Sequence, residues 1–232
     1  MVEEFYNKYH ISAESSMSRY QRRLFNEFIY ETEFKMRIEL SQKNKWSVDL
    51  SSKELTRLET FCQKKIQAKK WESMGYDDEN RIKREMTGAC IEFAARKFYD
   101  ISEDFDYSIT YNSYEKDFPD LLPNAICGVK GSSVGQVPLV KKESKSYVCK
   151  MKDSAYYGKR FRCADIIGIT NHKTVWLLGI ASPDILKTYV DDNLFMTNSN
   201  TGKTGFYGAS KLIDIPDNIN DFQQITYKML SS

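Results

Sequence analysis

The chain has 232 residues, which is long enough for one large domain with a core of its own. Apolar residues make up 41% of the chain and charged residues 28%, which is typical of a soluble globular protein, and no apolar run is long enough to cross a membrane. The net charge of +2 does not by itself indicate a polyanionic partner.

Two further features concern the cellular compartment. Residues 1–6 lack the basic and apolar regions of a secretory signal, so we expect a cytoplasmic protein with no membrane partner. The cysteines are odd in number and scattered, without a C-x-x-C motif. We expect them to be reduced and mostly buried, rather than paired in disulfides or gathered in a zinc site. They are Cys62, Cys90, Cys127, Cys149 and Cys163.

The N-terminal third begins with a helical pattern over residues 16–25 and then changes its period. Between residues 28 and 40, alternate positions carry Phe28, Tyr30, Thr32, Phe34, Met36, Ile38 and Leu40. This alternation predicts a long strand with one solvated face, and residues 46–50 repeat it, so a β-hairpin is favoured. A helix through residues 24–40 stays open as the alternative, because Glu, Lys, Arg and Met are good helix formers.

Two helices are predicted next. Ser51 and Glu54 form a capping-box pattern at the start of an apolar stripe that runs to about residue 71. An acidic turn then starts a second helix over residues 78–99. This helix carries Glu92 among small residues, including Gly88, which are expected to let it approach a sheet closely.

The rest of the chain predicts mainly strands. Residues 107–111 are typical of a short strand. The apolar runs 166–170 and 175–180 are joined by a three-residue turn, which indicates an antiparallel pair. Residues 221–230 predict a final helix. Helices and strands that are grouped in this way indicate an α+β protein.

The segment from Asp117 to Ser133 is the most informative part of the chain. Asp120 follows a proline and lies ten residues before Lys130, which ends an apolar run and enters a Gly-Ser-Ser turn. In a tight hairpin, Asp120 would be a hard anionic metal ligand beside a fixed cation. Such a pair suits hydrolysis of a phosphodiester, where a divalent ion is held and a water molecule is oriented. Asp117 competes with Asp120 as the ligand but fits a turn better.

This segment resembles the active-site hairpin of PD-(D/E)XK nucleases, the restriction-endonuclease-like superfamily, and especially of its small phage and mobile-element members. Three flanking features occur in the family's order. Residues 88–95 resemble the helix that supplies an extra glutamate, residues 165–181 resemble the later core strands, and residues 205–212 resemble the usual tail. The resemblance covers residues 78–213.

The resemblance implies a fold, a reaction and a set of site residues. The fold would be a restriction-endonuclease-like core with a mixed central sheet flanked by helices over residues 77–232, after a helix and hairpin appendage at 1–76. The reaction would be Mg²⁺- or Mn²⁺-dependent hydrolysis of DNA by an endonuclease. Asp120, Glu92 and the Val129 carbonyl would bind the metal, and Lys130 would orient the attacking water and stabilise charge on the phosphate.

The sequence departs from the family pattern two positions before the lysine, where an acidic residue is expected and Gly128 is found. In one interpretation Glu92, or a carboxylate from elsewhere such as Glu143 or Asp106, completes the metal site. In that case Gly128→Glu is expected to raise metal affinity. In a second interpretation, Glu143-Ser-Lys145 is the catalytic Glu-x-Lys element. In a third, the site is inactive and the fold only binds DNA.

A basic run follows the hairpin, with eight basic and two acidic residues between positions 141 and 162. Such a run is commonly a solvated face, and beside a catalytic site a surface that follows DNA phosphates is the equal alternative. An RNA-directed nuclease is a further alternative, and a homodimer is a possible assembly. The expected DNA-binding residues are Ser132, Ser133, Gln136, Lys141, Lys142, Lys145, Lys159, Arg160 and Arg162.

Overall fold

The computed structural model describes residues 2–10, 18–68, 78–105, 107, 120–121, 124–125, 127–136, 140–141, 148–149, 161–162, 164–182, 197–198, 203–204 and 209–231. Its helices are α1 (Val2–Lys8), α2 (Arg19–Ile29), α3 (Lys35–Lys43), α4 (Ser52–Ala68), α5 (Asp78–Phe98) and α6 (Ile219–Ser231), with a π-helical segment at Tyr30–Phe34 and 3₁₀ turns at Ser102–Asp104 and Ala209–Lys211. Its strands are β1 (Ser47–Asp49), β2 (Cys127–Ser133), β3 (Val140–Lys141), β4 (Val148–Cys149), β5 (Phe161–Arg162), β6 (Ala164–Thr170), β7 (Thr174–Ala181), β8 (Thr197–Asn198) and β9 (Lys203–Thr204). No helix within these ranges is both long and apolar enough to cross a bilayer.

The central sheet has four strands in the order β1-β7-β6-β2. β2 runs parallel to β6, while β6 and β1 are each antiparallel to β7, so the sheet is mixed. The β6/β7 pair is the antiparallel pair that the two apolar runs predict. It forms the middle of the sheet, and β2 lies at one end of the strand order.

Helices cover both faces of this sheet. On one face, α4 and α5 contribute to a core that includes Ile166 and Val175. On the other face, the N-terminal helices pack against Ile167 and Ile169. Successive residues of a strand point to opposite faces, so the apolar run of β6 contributes to both cores. The α+β class is therefore confirmed, as a mixed four-stranded sheet packed against helices.

The hairpin prediction for residues 28–50 is wrong in its first strand, and the alternative helix is correct. Residues 19–43 are helical throughout, as α2, the π-helical segment and α3. Met36, which the strand interpretation places on the apolar face, is 68% exposed. The buried stripe includes Glu33, Arg37 and Ser41, and these polar residues hide the helical period in the sequence. The second predicted strand exists as β1, which pairs with β7.

The two predicted helices that follow are confirmed. Ser51 caps α4, since its backbone N–H donates to Glu54 at 2.6 Å and its hydroxyl accepts the Glu54 N–H at 3.3 Å. The expected role of Gly88 in α5 is wrong, because a Cβ there would meet nothing within 4 Å. A Cβ at Gly131 of β2 or Gly168 of β6 would instead overlap α5. The close approach of helix and sheet therefore depends on glycines in the strands.

The predicted Gly-Ser-Ser turn at residues 131–133 is also wrong. These residues continue β2 to Ser133, because parallel pairing with β6 supplies partners for their backbone. The turn comes afterwards, where Gly135 has a φ of 83° and the Gln136 N–H donates to the Ser133 carbonyl at 3.0 Å. The glycine that the turn requires is therefore Gly135.

Two predictions lie largely outside the described residues. The strand predicted at 107–111 has Tyr107 alone within them, and Tyr107 lies in a turn. The predicted boundary between residues 76 and 77 falls in the segment 69–77, so it stays a prediction. Because β1 pairs with β7, the N-terminal segment contributes a strand to the central sheet.

Candidate active site

Asp120 and Lys130 meet at the start of β2. Asp120 lies in a turn in which the Leu121 N–H donates to the Cys127 carbonyl at 3.1 Å. Asp120 Oδ2 accepts the Val129 backbone N–H at 2.5 Å and lies 3.4 Å from the Lys130 ammonium. The ammonium also donates to the Val129 carbonyl at 3.0 Å. The structure thus brings together Asp120, Val129 and Lys130, three of the four residues predicted for the metal site and the catalytic pair.

Glu92, the fourth residue, is linked to Asp120 by the side chain of Arg96. Glu92 and Arg96 lie on α5, one helical turn apart, with Arg96 Nε 3.8 Å from Glu92 Oε1. Arg96 Nη2 also donates to the backbone carbonyl of Asp120. The side chain of Arg96 is 8% exposed, and its Nε and Nη1 have no hydrogen-bond partner. Arg96 therefore connects the helix that carries Glu92 to the turn that carries Asp120.

A fifth charged side chain, that of Asp165, lies beside Gly128. The two residues are partners in the parallel β2/β6 register. A Cβ built on Gly128 would overlap Asp165 Oδ1 and lie 3.6 Å from Asp120 Oδ2. The Asp165 carboxylate thus occupies the space that a side chain at position 128 would take. A Gly128→Glu side chain would therefore require the Asp165 carboxylate to shift, and its expected effect on metal affinity stays a prediction.

Burial and neighbouring charges shift the pKa values of Asp165, Glu92 and Lys130. Burial raises the pKa of Asp165 to about 7, although Lys130 opposes the rise and Asp120 adds to it. Burial and the negative charge of Asp120 raise the pKa of Glu92 to about 7, against the opposing effect of Arg96. Burial alone would lower the pKa of Lys130, but Asp120, Asp165 and Glu92 together raise it above its ordinary value. Lys130 is therefore a fixed cation at neutral pH.

The predicted DNA-binding residues are only partly described. The Ser132 hydroxyl donates to the Gln136 carbonyl at 2.7 Å, and the Ser133 hydroxyl lies 3.1 Å from that of Thr87 on α5. Both serines thus make contacts inside the protein, while Gln136 is exposed in the turn after β2.

The basic run contributes little to the described part of the site. Lys141 lies in β3 and Arg162 in β5, and their side chains are not described. The other predicted DNA-binding residues and the alternative catalytic pair lie outside the described residues, so their roles stay predictions. These residues are Lys142, Glu143, Lys145, Lys159 and Arg160, and Asp106 and Asp117 lie outside as well.

The cysteine prediction is confirmed where it is described. Cys62, Cys90 and Cys127 are free and buried, and burial raises the pKa of each thiol. The side chains of Cys149 and Cys163 are not among those described.

The oxygen atoms around Lys130 suit a hard divalent cation. Within the described ranges, no three Asp, Glu, His or Cys side chains form a ready-made metal cage. Mg²⁺ does not need one, because it commonly binds one or two carboxylates and keeps several waters. Both buried oxygens of Asp165 lack a hydrogen-bond partner, and Asp120 is close by. These residues therefore fit Mg²⁺ or Mn²⁺ together with waters.

The sequence did not identify Asp165 or Arg96 as part of the site. Asp165 appears there as the start of an apolar strand, and its charge within a run that is otherwise buried is the one signal that could have drawn attention to it. Arg96 has a weaker signal, its position four residues after Glu92 on a helix.

Comparison with known proteins adds no relationship to this geometry, since no protein-family model, no curated protein and no solved structure matches the chain.

Proposed function

We propose that the protein is a divalent-metal-dependent endonuclease that hydrolyses phosphodiester bonds in DNA. The observation that carries this proposal is the contact between Asp120 and Lys130, with the ammonium 3.4 Å from the carboxylate and 3.0 Å from the Val129 carbonyl. A cation-binding carboxylate beside a fixed positive charge is the combination that phosphodiester hydrolysis requires.

The exposure of the pair supports a reaction with a large substrate. The side chains of Lys130 and Asp120 are 36% and 30% exposed, so a phosphate could approach them from outside. Asp120 accepts the Val129 N–H and Lys130 donates to the Val129 carbonyl, so both side chains are held against β2. Groups that are fixed before the substrate arrives stabilise a transition state without further reorganisation.

Each residue has a distinct role in the proposed mechanism. Asp120, Glu92 and the Val129 carbonyl would hold Mg²⁺ or Mn²⁺, which supplies Lewis-acid activation of the phosphate and of a water molecule. Lys130 would orient the attacking water by donating a hydrogen bond, and its positive charge would stabilise the charge that develops on the phosphate. Its raised pKa favours this cationic role over that of a general base.

The fold supports the proposal at a coarser level. A mixed sheet with helices on both faces is the architecture that the restriction-endonuclease-like resemblance implies, and the carboxylate, the lysine and the helix with Glu92 occur in the implied order. DNA rather than RNA as the substrate rests on the resemblance alone, because a basic run can follow the phosphates of either nucleic acid.

The experiment is a cleavage assay on plasmid DNA, single-stranded DNA and an RNA oligonucleotide, each with Mg²⁺, Mn²⁺ or EDTA. Asp120→Ala and Lys130→Ala should each reduce metal-dependent DNA cleavage by at least about 100-fold without unfolding the protein, because each removes a group that acts on the transition state. Glu92→Gln should be nearly as damaging. The matched controls are Glu31→Gln and Lys35→Ala. This exposed acid and lysine have the same 3.4 Å separation but lie on the N-terminal helical segment, outside the candidate site.

Several outcomes would contradict the proposal. Unimpaired cleavage by either site variant, or full activity in EDTA, would remove Asp120 and Lys130 from the chemistry. A loss of activity in Glu143→Gln and Lys145→Ala would assign catalysis to that pair instead. Metal-independent DNA binding without cleavage would indicate an inactivated nuclease fold, and cleavage confined to RNA would indicate an RNA-directed enzyme.

A further inference from the structure

We infer that Asp165 supplies the carboxylate that position 128 lacks, and that it joins Asp120 as a ligand in the divalent-cation site. This inference rests on the proposed function and names a ligand that no sequence motif identifies. Three independent observations carry it: the strand register, the lack of any partner for Asp165, and the open side of the site.

The register places the Asp165 carboxylate where a side chain at 128 would lie. Gly128 and Asp165 are directly paired on parallel strands. A Cβ on Gly128 would overlap Asp165 Oδ1, while Asp120 Oδ2 is 3.6 Å from the same point. An acidic side chain at position 128 and the Asp165 carboxylate in its present position would therefore exclude each other. Glycine at position 128 is therefore the condition for Asp165 to reach the site, and not a loss of function there.

The environment of Asp165 lacks what a structural carboxylate needs. The residue is completely buried, and within the described part of the chain neither Oδ1 nor Oδ2 has a hydrogen-bond partner. A buried carboxylate without donors is costly, and proteins usually satisfy such groups with hydrogen bonds, a paired charge or a metal ion. Lys130 attracts Asp165, but its ammonium donates to Asp120 and to the Val129 carbonyl.

A cation could reach this site from one side. Asp165 faces into the protein, whereas the Asp120 side chain is 30% exposed. A hydrated divalent ion that arrived at Asp120 would keep waters on its outer side, as Mg²⁺ commonly does, and would take an oxygen of Asp165 on its inner side. The ion would then neutralise two carboxylates that repel each other.

The decisive test measures metal binding as well as cleavage. Binding of Mn²⁺ is measured by the electron paramagnetic resonance signal of the free ion, and the melting temperature is measured with and without Mg²⁺. Asp165→Asn keeps the shape of the side chain and should weaken Mn²⁺ binding by at least about 10-fold. It should also remove most of the rise in melting temperature on adding Mg²⁺. The control is Glu33→Gln, another buried acid, which should leave Mn²⁺ binding unchanged.

A relocation experiment sharpens the test. Gly128→Asp alone should destabilise the protein because of the overlap with Asp165, and Asp165→Ala alone should lose metal binding. The double substitution Gly128→Asp with Asp165→Ala returns one carboxylate to the same space from the neighbouring strand. It should recover Mn²⁺ binding to within about 10-fold of the unmodified protein.

The outcomes separate this inference from the proposed function. If Asp165→Asn binds Mn²⁺ normally while Asp120→Asn does not, Asp165 is not a ligand, although the nuclease proposal survives. If Asp165→Asn destabilises the metal-free protein and keeps its full response to Mg²⁺, Asp165 has a structural role and the inference is overturned. If the unmodified protein binds neither ion and its DNA cleavage is insensitive to EDTA, both proposals fail.

Discussion

Two buried arginines occupy contrasting places in this protein. Arg37, on α3, donates to the Leu212 carbonyl and to Asp214 Oδ1 at 2.9 Å, and so fastens the N-terminal helices to the segment before α6. Arg96, on α5, donates to the Asp120 carbonyl, but the nearest Glu92 oxygen is 3.8 Å away. Asp214, the acid beside Arg37, is 67% exposed, whereas Arg96 lies between two acidic residues of the candidate site, Glu92 and Asp120.

The buried carboxylates of the two regions differ in degree. Glu33, one helical turn before Arg37, accepts backbone N–H groups of Ser210 and Ala209, although its buried Oε2 has no hydrogen-bond partner among the described residues. Asp165, beside Lys130 and Asp120, has no hydrogen-bond partner on either oxygen among the described residues. The carboxylate of Glu33 is therefore partly satisfied, whereas that of Asp165 is not. A buried acid without donors is costly unless a paired charge or a bound cation satisfies it, which is the basis of the cation site proposed above.

The largest effect on stability is expected from Arg96→Ala, at about 3–5 kcal/mol in the free energy of unfolding. The substitution leaves the Asp120 carbonyl without its donor and removes a cation from a region that holds three carboxylates. Urea denaturation in EDTA measures the loss. The stability of Arg96→Lys should lie between that of the unmodified protein and that of Arg96→Ala. Lysine keeps the charge but cannot contact both Glu92 and the Asp120 carbonyl with one planar group. If Arg96→Ala lowers the free energy of unfolding less than Arg37→Ala does, the Arg96 region is not the more sensitive of the two.

The next effect concerns pH. A carboxyl with a higher pKa in the folded protein stabilises the fold below its unfolded pKa, and this contribution is lost as the pH rises through the folded pKa. For Asp165 these values are 3.8 and about 7. Asp165 should therefore make the metal-free protein less stable at about pH 8 than at about pH 5, by on the order of 2–3 kcal/mol.

The groups responsible can be separated by substitution. Denaturation curves in EDTA at both pH values should show a smaller difference for Asp165→Asn, since its side chain does not titrate, and the part that remains should come from Glu92, whose pKa is also raised to about 7. Glu33 also has a raised pKa, but backbone N–H donors oppose the rise, so Glu33→Gln should change the pH dependence less. Equal effects of the two substitutions would mean that the regions do not differ in this respect.

The smallest effects belong to the Arg37 region. Arg37→Ala should cost about 2 kcal/mol, because the Leu212 carbonyl loses a charged donor, and metal-dependent cleavage by the folded protein should not change. Asp214→Asn should cost less than about 1 kcal/mol, since the side chain of Asp214 is 67% exposed and its ion pair is screened by water. A loss of metal-dependent cleavage in either variant at a temperature where it is fully folded would connect this region to the site.

The parts of the fold that the sequence predicted correctly depend on short-range chemistry. The Ser51 and Glu54 capping box, the length of α5 and the β6/β7 pair each follow from residues that are neighbours along the chain. The closeness of Asp120 and Lys130 is of the same kind, because one turn separates them. The helical stripe of residues 19–43 could not be recognised, because the buried residues Glu33, Arg37 and Ser41 interrupt its apolar pattern.

The sequence by itself determined an α+β protein with an acid and a lysine poised beside a strand, and it also showed that an expected acid is missing at Gly128. Only the tertiary structure decided that Asp165 fills that space. This decision depends on the parallel register of β2 and β6, which is set by long-range packing and leaves no local pattern in either strand. The position of Arg96 depends likewise on how closely α5 approaches the sheet, which the strand glycines Gly131 and Gly168 permit. Local propensity thus fixed the elements, and packing between distant segments fixed the charges that meet at the site.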